Sequence, residues 1–121
     1  MIICDEIINE AETNKKSLIG TFNSIAGKNF PLKLHKLVVF VALTNGSGNH
    51  NVSLRCVREG ETPNDIFRVQ GMMRFEGPTE TVEISFGIKN VVFQNPGLHA
   101  MEFYCDEDLL TERRFFVHQK K

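Results

Sequence analysis

Leu37-Val38-Val39-Phe40-Val41-Ala42-Leu43 is an unbroken apolar run, and its reading decides the fold. It is too short to cross a bilayer, and its valines and phenylalanine favour a strand over a helix. Side chains alternate along a strand, so Leu37, Val39, Val41 and Leu43 point one way and Val38, Phe40 and Ala42 the other. A strand apolar on both sides needs cover on both. Two candidates can supply the second cover: the N-terminal segment, or the stretch from Lys89 to Asn95 with Val91 and Phe93.

Turn chemistry brackets this strand. Pro31 has no amide hydrogen for a ladder, so regular pairing is expected only after it. Downstream, Asn45-Gly46-Ser47-Gly48-Asn49 is the strongest loop signal in the chain and is expected to be a mobile tip, since Gly and Asn tolerate positive φ. Working outward, Met1 to Ile8 reads as a strand, Thr13 to Lys16 as a turn, and Ser17 to Ser24 as a strand whose Gly20 marks a bulge or a close backbone approach. Val52, Leu54 and Cys56 alternate with polar residues, and a loop is expected from Glu59 to Asp65. Phe67, Val69, Met73 and Phe75 are predicted to face in, with Arg68, Gln70, Met72 and Arg74 facing out. Val82, Ile84, Phe86 and Ile88 alternate most cleanly, and the phase then slips to Val91 and Phe93, which predicts a bulge or strand end near Asn90. After Asn95-Pro96-Gly97 a final hairpin turns at Asp106-Glu107-Asp108. Centred on Glu107, it pairs His99 with Phe115 and leaves His118 out of register with His99.

This pattern gives about eight strands and no helical period. The expected fold is all-β: a single domain over residues 1–121, built as a two-sheet antiparallel sandwich with immunoglobulin-like Greek-key connections, with a closed barrel as the alternative. At 121 residues a single core can form without metal or disulfide staples.

The Ile2-Ile3-Cys4-Asp5 opening, Lys16-Ser17-Leu18-Ile19-Gly20-Thr21-Phe22, the Phe30-Pro31 step, Pro96-Gly97, Phe103 and Leu109-Leu110 together resemble a family of small uncharacterised bacterial proteins. The resemblance implies a sandwich domain and no assigned activity. His99 stands where such domains often place an aromatic after the Pro-Gly turn, a departure from the tyrosine-corner pattern.

Composition narrows function by exclusion. The formal charge is −1, from 14 Lys plus Arg against 15 Asp plus Glu. They form no concentrated basic surface, which argues against nucleic acid and against an electrostatic membrane dock. The three cysteines, Cys4, Cys56 and Cys105, are widely spaced and read as free thiols of a reducing cytoplasm. No signal-peptide pattern opens the chain. The histidines, His35, His50, His99 and His118, lack metal-ligand spacing and read as surface or rim residues, so neither a metal nor a cofactor is expected. No catalytic set and no phosphate loop emerges, and the chain is not read as an enzyme.

What remains is surface. Val38, Phe40 and Ala42, with Val57 and Met72, are expected to form an apolar patch for a protein partner or a homo-oligomer, and unpaired edge strands offer a second route to association. The expected function is therefore a non-catalytic, cytoplasmic interaction or accessory module. The alternative is a small-ligand or calcium-binding sandwich that uses Asn45 to Asn49, Gly60 to Asp65 and Asp106 to Asp108.

Overall fold

A computed structural model describes residues 1–60 and 64–121; part of the expected loop from Glu59 to Asp65 therefore lies outside the described residues. The chain is all-β, with no helix among the described residues and so none that could cross a membrane. Its strands are β1 (Ile2–Cys4), β2 (Glu6–Asn9), β3 (Lys16–Ile19), β4 (Ser24–Gly27), β5 (Leu32–Leu43), β6 (Gly48–Arg58), β7 (Asn64–Phe75), β8 (Val82–Phe93), β9 (Gly97–Cys105) and β10 (Asp108–Gln119). They form three sheets rather than two: β1-β5-β8, β4-β10-β9-β6-β7, and the small hairpin β2-β3. One pair, β4 with β10, is parallel, which departs from a wholly antiparallel arrangement. Among the described residues no ladder joins β7 to β8, so hydrogen bonding between these strands does not close a barrel.

The run Leu37 to Leu43 is the middle of the three-stranded sheet, and pairing starts at Leu32, directly after Pro31. Leu37, Val39 and Val41 are fully buried in the main core. Around them lie Leu54, Cys56, Met101 and four buried phenylalanines, Phe75, Phe93, Phe103 and Phe115. Truncating one such ring to alanine costs about 3–5 kcal/mol, because the cavity only partly collapses.

The second face of β5 is covered by the chain's own N-terminal segment. β1 places Ile2 and Cys4 opposite Phe40 and Val38, and Val38 and Cys4 are buried. The β2-β3 hairpin lies beside them, tied by Lys16 to Glu83 at 3.3 Å and by the Lys16 ammonium 5.9 Å from the centre of the Phe40 ring, within cation–π range. Ile7 and Leu18 pair with each other on the hairpin and are half-buried. The single strand expected from Met1 to Ile8 breaks at Asp5, whose amide donates to the carbonyls of Ile19 and Gly20. Gly20 ends β3 with φ +69°, and a Cβ there would sit 2.3 Å from the Asp5 carboxylate; the expected close approach is real, but the strand stops instead of continuing to Ser24.

The phase slip on β8 has a different form from an inserted residue. β5 and β8 keep one register from Leu43↔Val82 to Leu32↔Phe93. Both strands exchange faces together at Asn90 (φ 57°), opposite the gap left by His35, so that Leu34 and Val91 join Leu37 and Ile88 on the core side. A left-handed residue redirects the chain without altering the count of paired residues.

Candidate functional site

The five residues expected to form one apolar patch do not share a sheet. Val38, Phe40 and Ala42 lie on β5; Val57 and Met72 lie on β6 and β7 of the five-stranded sheet. Val38 and Val57 are buried, Phe40 is half-buried, and only Ala42 and Met72 are exposed, Met72 at 70%. The N-terminal cover over β5 accounts for most of this difference.

Polar chemistry gathers instead where the Asn45–Asn49 loop meets the β9-β10 turn. Asp106 and Glu107 have φ of 48° and 74°, the left-handed pair of a type I′ turn, whose twist suits a two-residue hairpin. Cys105 pairs with Asp108 across it. The turn is fastened to the start of β6 twice: the Asp106 amide donates to the Asn51 carbonyl at 2.8 Å, and the Asn51 amide donates to Asp106 Oδ1 at 3.1 Å. The other carboxylate oxygen, Oδ2, accepts from His50 Nδ1 at 2.5 Å, and His50 Nε2 donates to the Ser47 carbonyl at 2.7 Å.

Both partners of the His50 ring are acceptors, so the arrangement is satisfied fully only by the imidazolium, with a proton on each nitrogen. The hydrogen bond to Asp106 accordingly raises the His50 pKa above its ordinary 6.5, helped by the Ser47 carbonyl. Reciprocally, His50 and the Asn51 amide hold Asp106 below the usual carboxylate value. Cys105 Sγ completes a cluster whose donor atoms all lie within 4.8 Å of one another. Burial, with the Asp106 and Asp108 charges, pushes the Cys105 thiol up, away from a ready nucleophile.

The loop expected to be a mobile tip is anchored. Asn45 donates its amide to the Pro78 carbonyl at 3.0 Å, and the Phe75 ring packs so closely on Gly46 that a Cβ there would lie 2.5 Å from it. The same ring meets His50 edge-on, with centroids 6.0 Å apart.

On the outward side, a groove of about 510 Å³ is lined by Asn51, Ser53, Arg68, Gln70, Asp106 and Glu107 among others. Asp106 therefore belongs both to the groove and to the His50 pair. Of the three end segments expected to cooperate, Asn45–Asn49 and Asp106 meet at the start of β6; of the third, partly outside the described residues, Asp65 pairs with Val57 near the far end of β6 and binds Arg55.

Of the remaining histidines, His99 overturns the surface reading. It is fully buried, opposite Phe115 as the hairpin register required, with Nδ1 donating to the Gly97 carbonyl at 3.0 Å. All three cysteines are unpaired. Cys56 lies in the core, where burial drives its thiol pKa up to about 12.

Sequence reasoning did not bring His50, Cys105 and Asp106 together. His50 shares the inward phase of Val52 and Leu54, and Cys105-Asp106 opens a hairpin, but the pairing of β6 with β9 that unites them joins segments some fifty residues apart. The sequence model of a family of unknown function, DUF6941, matches residues 1–118. The chain belongs to that family. No curated protein matches this DUF6941 chain.

Proposed function

We propose that this chain is a non-catalytic interaction module that works by contact with a second copy or an accessory protein. The observation that carries this reading is the pair of long strands β7 and β8, each 12 residues, that end their sheets with, among the described residues, no ladder partner on one side. Unpaired strand edges offer amides and carbonyls that another chain's strand can complete. Met72, highly exposed on β7, adds an apolar contact beside that edge.

The architecture proposed to present these edges is an immunoglobulin-like sandwich. Support comes from strand order: β1-β5-β8 follows the A-B-E order of one immunoglobulin sheet, and β10-β9-β6-β7 the G-F-C-C′ order of the other, with the β2-β3 hairpin as an addition. A cytoplasmic setting is proposed from the three unpaired thiols.

Light scattering after size exclusion over a dilution series, with amide hydrogen exchange on the same samples, tests the reading. Self-association predicts a concentration-dependent multiple of 13.8 kDa and slowed exchange confined to β7 and β8. For a monomer, the accessory-protein form predicts broadening of β7 and β8 resonances of isotope-labelled chain in host extract. If neither occurs, the proposal fails.

The groove beside Asp106 favours one other reading, a small polar ligand held by Arg68, Gln70 and Asn51. Its size falls in the range of small-molecule sites. A fragment screen by NMR that moves no resonance of these three residues removes it.

A further inference from the structure

We propose that His50, Cys105 and Asp106 form a binding site for a borderline-soft divalent cation of the zinc class. The three side chains offer one nitrogen, one sulfur and one oxygen donor, all within 4.8 Å of one another, and this mixed set is what zinc accepts in tetrahedral sites. Calcium is a poor match, because it takes six to eight oxygens, whereas this cluster sets a single carboxylate beside a nitrogen and a sulfur donor.

The site is partly prearranged. Asp106 is fixed by its two backbone hydrogen bonds to Asn51, Cys105 by the β9 ladder opposite Val52, and His50 by the Phe75 edge. The ion takes the place of the proton between His50 Nδ1 and Asp106 Oδ2. At 2.5 Å those atoms are closer than two ligands of one ion can be, so the pair opens by roughly 1 Å on binding. Both groups lie at the solvent edge, with side-chain exposures of 26% and 51%, which leaves them room for this movement. Three protein ligands leave a fourth position for water or for a group in the adjoining groove, which shares Asp106.

The proton balance follows from the ligand forms. The ion takes the imidazole form of His50 and the thiolate form of Cys105, so whatever protons these ligand atoms carry leave as it binds. Affinity consequently falls as pH drops. Because this inference does not use the β7 and β8 edges, it stands or falls separately from the interaction reading.

The test is titration of the reduced, full chain with cobalt(II), followed by displacement with zinc. The expected result is one equivalent bound with an ultraviolet thiolate-to-cobalt charge-transfer band and tetrahedral visible bands, both lost on adding zinc. Cys105→Ser abolishes the charge-transfer band, and His50→Gln and Asp106→Asn each weaken zinc binding by about 100-fold or more, since even outer partners of a metal site are typically worth 10 to 100-fold. Calorimetry in buffers of different ionisation enthalpy reads the proton release. A circular dichroism spectrum and melt of each variant confirm folding; should Cys105→Ser not fold, alkylation of Cys105 with zinc protection as the readout takes its place. Absence of a charge-transfer band in the folded wild-type chain, or its survival in Cys105→Ser through Cys4 or Cys56, overturns the proposal.

Discussion

The imidazole of His99 stacks on the ring of Phe115, with centroids 5.5 Å apart and planes inclined by 27°, while Phe93 meets the same imidazole edge-on at 5.1 Å. Nδ1 donates to the Gly97 carbonyl, which fixes the neutral tautomer, and Nε2 is buried with no partner among the described residues. The imidazole thus occupies an aromatic slot after the Pro-Gly turn and makes its own local hydrogen bond.

A pH dependence follows. Burial pushes the His99 pKa below 6.5, with the Arg58 charge acting the same way and the Gly97 bond opposing it. The unfolded chain therefore binds a proton more readily than the native one. Stability attributable to the neutral imidazole is intact above about pH 6.5 and declines as pH falls below it, by up to ~1.4 kcal/mol per pH unit until the folded-state pKa is reached. Denaturant melts between pH 7 and 5, run in parallel on His99→Phe, should show a steeper loss for the wild type than for the variant.

His50 and Asp106 act in the opposite sense. The raised His50 pKa contributes stability that is complete below 6.5 and disappears as pH rises through its folded value; the depressed Asp106 pKa contributes stability present above 3.8 and lost as pH falls through its own folded value. The pair is therefore favoured in the window between the two. NMR titration of the His50 ring should give a midpoint above 6.5 in the wild type and a return toward 6.5 in Asp106→Asn. Equal midpoints in the two proteins would contradict the assignment.

Glycine positions separate steric from conformational effects. Gly46→Ala drives a Cβ into the Phe75 ring and is expected to cost about 1–3 kcal/mol, as overpacking does. Gly87→Ala meets open space with no left-handed φ and should be neutral or slightly stabilising, since alanine is less costly to order. Chemical melts of the two variants give the comparison directly.

Phe40→Ala tests the cover over β5. The ring is half-buried, so the loss should be about 2 kcal/mol, below the usual range for a fully buried phenylalanine. Removing it also takes away the contact with Lys16, so amides of Glu6 to Ile19 should exchange faster while those of β6 and β9 do not. Uniform acceleration across all strands would instead point to global destabilisation.

Much of the fold was legible from local chemistry. Pro31 set the start of β5, Gly20 marked a close approach, and the alternation of Val82 to Ile88 gave the inward face of β8, because each depends on a residue's own backbone limits or on the period of a strand. The order in which strands assemble was not legible in the same way: nothing in Ser24–Gly27 announces a parallel pairing with β10, and nothing in Glu6–Asn9 announces a separate hairpin laid beside Phe40.

The candidate site shows the same division. The sequence by itself determined an acidic hairpin turn within Asp106-Glu107-Asp108 and the pairing of His99 with Phe115, since turn chemistry and two-residue periodicity are local properties. Only the tertiary structure decided that His50, Cys105 and Asp106 meet, that His99 is buried, and that Val38 is covered from the N-terminal side. Those outcomes depend on which strands become neighbours, and neighbours are chosen by the burial of the whole core, a sum over residues far apart in the chain.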